Sequence, residues 1–330
     1  MRVSDSIVSV MKAIAVVAVV FAVSSCFKED TPVQLPPPGD AKIFQVAMGE
    51  DYHRQVYFDF NTTDSAGSEH AAWDLCFEST ESGWHVWMNG GNDAEIANTD
   101  TQDFEAITDT LGAQWNIDNP NWDIDSTAVG DWRVDRMVYL LDRGPSKLSG
   151  DRFKKIIFQS VNPGQYEVQF SNLDGSGLTH YNVTKKSGNA FVYFTFDNGG
   201  QTLDIEPDAA SWNILFTRYR VVFYTEHPPL PYIVTGVLIN PNIAVAVDSS
   251  MSFTDIDLQK ALPLVYSSKR DIIGWNWKAV NIANGGTYTV KPYINYMIRD
   301  AEGVYWKLHF IDFYNSTGEK GYPQFQYQRL

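Results

Sequence analysis

One order of motifs occurs twice in this chain, and it limits the available folds more than any other feature. Val56-Tyr57-Phe58-Asp59-Phe60 is followed by Trp73-Asp74-Leu75, and Val192-Tyr193-Phe194-Thr195-Phe196 is followed by Trp212-Asn213-Ile214. Each pair leads on to three short aromatic runs separated by turn residues. The later set fills Asn295 to Gln328 and is broken at Asp300-Ala301-Glu302-Gly303 and at Ser316 to Gly321. The earlier set is Val138 to Leu141, Lys155 to Phe158 and Gln165 to Phe170. Three matches in the same order, at a loose period of about 150 residues, argue for a tandem duplication.

The runs themselves read as strands. Trp306, Leu308 and Phe310 alternate with Tyr305, Lys307 and His309, and Phe325 and Tyr327 alternate with Gln324, Gln326 and Gln328. Period-two alternation between Gly-containing turns is the pattern of antiparallel strands with one buried face. Trp84 to Met88, Trp212 to Tyr224, Ile233 to Val247 (broken at Asn240-Pro241-Asn242), Ile272 to Val280 and Thr287 to Val290 are further strand segments. Helix is expected only as short pieces, over Thr101 to Thr110 and Thr254 to Leu262. The fold class is therefore all-β, mainly antiparallel sheets with minor helix. A length of 330 residues suits two domains. The division expected is a signal peptide over 1–25, a Pro-rich tether over 26–41, a diverged first repeat over 42–175 and a second domain over 176–330.

The N-terminus has a processing layout. Lys12 precedes an apolar run from Ala13 to Val23, and Ser24-Ser25-Cys26 follows. That is a basic start, an apolar stretch too short to span a bilayer comfortably, and small residues before a cut. Met11 to Cys26 is already a complete signal. Thr31 to Asp40, with Pro32, Pro36, Pro37 and Pro38, is a stiff extended tether. Cys76 is then the only cysteine left in the folded part, a buried small hydrophobe with no internal disulfide partner.

Composition removes several functions. The net charge of −15 argues against nucleic acid, which needs clustered Lys and Arg. The chain has no G-x-S-x-G, H-E-x-x-H, P-loop or G-x-G-x-x-G motif, so it reads as non-catalytic. The acidic loop Asp118 to Asp125 has oxygen donors for calcium but lacks EF-hand spacing, and reads as a solvated turn-rich loop.

These residues resemble the HmuY family, the secreted haem-binding lipoproteins of bacterial haem uptake. The resemblance lies in a lipobox-like Val23 to Cys26, the two YFxF and W-[DN]-[LI] pairs, Tyr232 to Pro241, and the terminal meander with Lys320-Gly321-Tyr322-Pro323. The resemblance covers nearly all of the mature chain, as two tandem HmuY-type repeats. It implies an all-β domain, a lipidated Cys26, haem or porphyrin capture at the cell surface, and handover to an outer-membrane receptor. Phe27-Lys28-Glu29-Asp30 resembles the export signal that sends lipoproteins to the outer face of the outer membrane.

Haem-binding members use two axial side chains, often histidines, between the W-D strand and the meander. Low-spin iron takes nitrogen or thioether ligands from opposite faces. In the second repeat that interval holds His227 and Met251; in the first it holds His85 and Met88. Three positions apart on a strand, His85 and Met88 face opposite ways. The stretch before Thr287, Val280 to Gly286, contains neither residue type. No ligand transfers residue by residue. The rival reading is a non-catalytic surface adhesion or glycan-binding module that has lost haem ligation.

Overall fold

A computed structural model describes residues 38–123, 126–281 and 286–330. The expected signal peptide, Cys26 and most of the tether lie outside the described residues, as do 282–285 and 124–125. Within them the chain is antiparallel β with three short α-helices, Trp132–Asp135, Ser149–Arg152 and Leu258–Ala261.

Four sheets carry the fold. The terminal meander forms one, in the order β1 (Lys42–Gln45), β20 (Lys320–Arg329), β19 (Tyr305–Tyr314), β18 (Asn295–Arg299) and β15 (Ala244–Asp248). The earlier meander forms its counterpart, β10 (Thr179–Thr184), β9 (Gln165–Asn172), β8 (Phe153–Val161), β7 (Tyr139–Asp142) and β6 (Glu95–Asn98). The third sheet is β12 (Gln201–Leu203), β11 (Phe191–Thr195), β4 (Leu75–Glu78) and β5 (Val86–Met88). The fourth is β14 (Leu230–Ile239), β13 (Ile214–Phe223), β2 (Arg54–Phe58) and β3 (Ser65–Glu69). A hairpin of β16 (Lys278–Asn281) and β17 (Thr287–Val290) stands apart.

Side-chain alternation explains how the sheets stack. Ile214 and Phe216 of β13, with Val56 and Phe58 of β2, pack against Tyr296, Leu308, Phe310 and Phe325 of the terminal meander. Leu75 and Phe77 of β4, with Val192 and Phe194 of β11, pack against Ile96, Leu141, Phe158 and Val168 of the earlier one. The intervening residues Tyr57, Leu215, Cys76 and Tyr193 point the other way into two clusters that share Ile205. The two sandwiches thus meet back to back, and the Tyr57 and Tyr193 hydroxyls hydrogen-bond at 3.0 Å across the contact. Strands covered on both faces need continuous apolar runs, as YFxF supplies.

The repeated motifs pair with each other rather than with themselves. β2 of the first repeat lies beside β13 of the second, with Phe58 opposite Ile214. β11 of the second lies beside β4 of the first, with Phe194 opposite Leu75. The same polar lock closes both exchanges. The Asn213 side chain accepts from the Phe60 N–H at 2.8 Å, and the Asp74 carboxylate accepts from the Phe196 N–H at 2.9 Å. The meanders match too. Lys155 donates to the Phe104 and Ile107 carbonyls, and Lys307 donates to those of Phe253 and Ile256. The expected boundary at 175/176 falls inside the β9–β10 hairpin, and each sandwich takes strands from both sides of it.

Two local expectations are corrected. No helix forms over 101–110; the segment is a string of turns. Its Phe104 and Ile107 carbonyls are spent on Lys155, and Asp103 accepts from the N–H groups of Glu105 and Ala106. The strand expected over 272–280 begins only at Lys278. Gly274 takes a φ of +63° there and exchanges hydrogen bonds with Val237, so the chain turns. That turn drops Ile273 and Trp277 into the core. The close approach requires glycine at 236, because a Cβ there would stand 2.7 Å from the Gly274 carbonyl oxygen. Cys76 is free and fully buried, as expected.

Candidate functional site

The outer ends of β13 and β14 run past the sandwich, and the β16 strand rises beside them. Between them lies an apolar pocket of about 430 Å³, within the usual range of roughly 300–1,000 Å³ for small-molecule sites. Leu230, Tyr232, Trp275 and Val280 are prominent in its walls. Leu230, Tyr232 and Val280 are all exposed, an unusual use of large apolar side chains that marks the surface for contact.

Two cations line this apolar space. Lys278 is buried, and its ammonium donates to the Thr235 carbonyl at 2.5 Å. It stands 4.2 Å from the Trp277 ring centroid, and burial pushes its pKa down to about 7. Arg218 lines the same pocket, and its guanidinium lies 3.3 Å from the His70 Nε2. Neither cation has a carboxylate in salt-bridge range among the described residues. The Tyr52 hydroxyl, on the same lining, is buried beside Tyr288.

A larger cleft of about 600 Å³ opens elsewhere, lined by Trp87, Trp122, Phe191 and Arg270 among others. Trp122 stacks on Trp87 at 4.7 Å and 11°, and the Arg270 guanidinium lies 4.3 Å over the Trp122 ring. The ring therefore already has two stacking partners. Close by, the buried Glu206 accepts from the Phe191 N–H at 2.8 Å and the Trp212 indole N–H at 3.2 Å. Burial pushes its carboxyl pKa up from 4.5 to about 7, against the opposing pull of those hydrogen bonds and Arg270. A carboxyl raised in the folded state binds its proton more tightly there than when unfolded. Stability then falls as pH rises through about 4.5 to 7 and the loss is complete above it. The expected result is a thermal midpoint that drops across this window in the wild type and loses that slope in Glu206→Gln. Equal slopes in both proteins would place the titration elsewhere.

The four ligand candidates do not converge. Met88 lies in the core of the first sandwich. His85 is buried beside it in sequence, but its Nδ1 is 2.6 Å from Glu78 and its ring lies against Trp84. Met251 packs on the Ala246, Ile256 and Met297 cluster. His227 is exposed, on the loop whose neighbouring Glu226 lines the apolar pocket. His309 sits on the polar side of β19, bonded to the Pro292 carbonyl and Gln326. In the acidic loop, Asp118 spends both oxygens on the Met88 and Ala128 N–H groups. No group of three metal-ligating side chains occurs among the described residues.

A family model described as "HmuY protein" matches residues 51–190 and 231–327, more than two thirds of the chain. The chain belongs to the HmuY family. The match is interrupted between 190 and 231, where β11, β12 and β13 lie. Among solved structures, the apo form of PinO from Porphyromonas gingivitis is 11% identical. The match covers 88% of this chain and 97% of that one at a TM-score of 0.28. The apo HmuY analogue of Tannerella forsythia is 10% identical, with 90% and 98% covered and a TM-score of 0.26. No curated protein matches the chain.

For this HmuY-family chain, sequence reasoning missed the pocket residues Arg218, Tyr232, Trp275 and Lys278. The available signal was a cation set in an apolar run, Trp275-Asn276-Trp277-Lys278-Ala279-Val280. Alternation alone places Lys278 on a strand, and only the fold reveals that its end is dry.

Proposed function

We propose that this protein is a surface-anchored lipoprotein that captures haem or a related porphyrin in the pocket between the ends of β13–β14 and β16. The carrying observation is an apolar pocket with two cations that have no carboxylate partner among the described residues, in a chain of the HmuY family. Flat aromatic rings with charged edges suit such a lining. The lipobox-like Cys26 and the following Lys28-Glu29-Asp30 support acylation and display on the outer membrane. The cargo would then pass to an outer-membrane receptor, with no covalent chemistry in this chain. The rival glycan-binding reading would use the larger cleft. Its central ring, Trp122, is already stacked between neighbours, which favours the apolar pocket.

His227 alone of the four candidates adjoins the pocket lining, so it is the proposed axial side chain at the mouth. A haemin titration of the soluble mature chain should give a sharp, shifted Soret band that saturates at one equivalent. His227→Ala should change that band, whereas His85→Ala, Met88→Ala and Met251→Ala should leave its position unchanged. A broad shift that never saturates would sink the haem reading.

A further inference from the structure

We infer that this pocket recognises its ligand through the ligand's carboxylates, paired with Lys278 and Arg218, and that a metal in the ligand is dispensable. The inference rests on the pocket proposed above and narrows its ligand to apolar ring systems that carry carboxylates.

Four lysines are buried among the described residues, and one of them, Lys154, is held by the Asp151 carboxylate and the Asn172 side chain. Lys155 and Lys307 each hold two backbone carbonyls. Lys278 is equally buried, at 5% exposure, yet holds only the Thr235 carbonyl. Its other neighbours are the rings of Trp277, Phe313 and Tyr288. A buried ammonium without a counter-charge is costly, and such groups are normally paired. The arginines divide in a similar way, although Arg270 is also buried without a salt bridge among the described residues, against the rings of Trp122 and Phe191. The buried Arg143 and Arg220 each meet two or more carboxylates, while Arg218 meets none among the described residues. The carboxylate on the pocket lining, Glu226, is exposed on the mouth loop and reaches neither cation. The pocket therefore has two basic groups without a carboxylate partner among the described residues, and aromatic walls.

The lining has no corresponding provision for a metal. Among the described residues no histidine, methionine or cysteine lines it, and the sequence from Val280 to Gly286 contains none. His227 lies on the loop beside Glu226 and outside the lining, and among the described residues no second side chain of that kind lines the pocket for the opposite face of an iron. An apolar dicarboxylate would offer a counter-charge to each cation without a metal, and protoporphyrin has two carboxylates on one edge of its ring.

Three probes separate the possibilities with the full mature chain, read by tryptophan fluorescence quenching and absorbance: haemin, metal-free protoporphyrin IX, and protoporphyrin IX dimethyl ester. The expected result is that haemin and metal-free protoporphyrin bind within about threefold of each other. The ester should bind weaker by on the order of thirtyfold, the effect of losing a desolvated charge pair. Lys278→Met should weaken the two acids by a similar factor and leave the ester unchanged. Arg218→Gln should do the same to a smaller extent and serves if Lys278→Met does not fold. Haemin binding with no binding of metal-free protoporphyrin would overturn the inference while leaving haem capture standing. An ester that binds as tightly as the acids would also overturn it. Binding of no tetrapyrrole at all would remove the proposed function and this inference together.

Discussion

Expressed by itself, the segment 176–330 will not fold. The terminal meander looks self-sufficient in sequence, but its sandwich is completed by residues from far upstream. Val46, Met48, Val56, Phe58 and Phe60 are all at most 7% exposed within its core. Phe58 alone lies 4.6 Å from Phe44, 5.2 Å from Phe325 and 5.5 Å from Tyr327. Removing one buried Phe costs roughly 3–5 kcal/mol. Losing this group exceeds the whole stability of a typical domain, about 5–15 kcal/mol. The isolated segment should show poor amide dispersion and no cooperative urea transition. Adding the segment 38–175 in trans should restore both, since it brings β1, β2 and β3. A cooperative transition in the isolated segment would show that the exchanged strand is dispensable.

Arg143→Ala should be among the most damaging single substitutions. The Arg143 side chain is fully buried and forks onto Asp74 at 3.0 and 2.7 Å, with Asp151 at 2.7 Å and Asp197 at 2.5 Å. Asp74 in turn accepts from the Thr195 hydroxyl and the Phe196 N–H, both at 2.9 Å. This network ties the W-D segment of one repeat to the YFxF strand of the other and to the strand end after β7. Truncating one partner leaves the Asp74 carboxylate buried without its counter-charge. The expected loss is about 3–5 kcal/mol in urea denaturation. Asp151→Ala removes a half-exposed partner and should cost less than about 1 kcal/mol. Similar small effects from both substitutions would mean that water or a neighbour replaces the guanidinium.

The W-[DN]-[LI] motif takes its meaning from this network. In one copy Asp74 serves an arginine and an N–H; in the other Asn213 serves an N–H without a charge. The exchange of Asp for Asn follows the presence or absence of a buried cation. Sequence shows the alternation of residue types, and the structure supplies its cause.

Much of the sheet was legible because strands are written locally. The meander residues Trp306, Leu308 and Phe310 do face inward, as their alternation requires. The pattern shifts at the bulge beyond Phe310, after which Phe313 is the buried residue. The site was far less legible. Histidine and methionine were natural candidates because their chemistry is visible in one letter, yet Met88 and Met251 are packed and His85 is held by Glu78. Lys278 gave no comparable signal, since a lysine beside a tryptophan is ordinary until its surroundings are known.

By itself, then, the sequence determined the all-β class, the strand faces, the repeated motifs and the family resemblance. These depend on residue spacing along one strand or turn, where the physics is short-range. Only the tertiary structure decided which repeat pairs with which, and where charge is left without a partner. Both depend on contacts between residues distant in the chain, such as Tyr57 with Tyr193 and Lys278 with Thr235. No local pattern encodes which strand will cover which face, or whether the end of a lysine side chain meets water or indole.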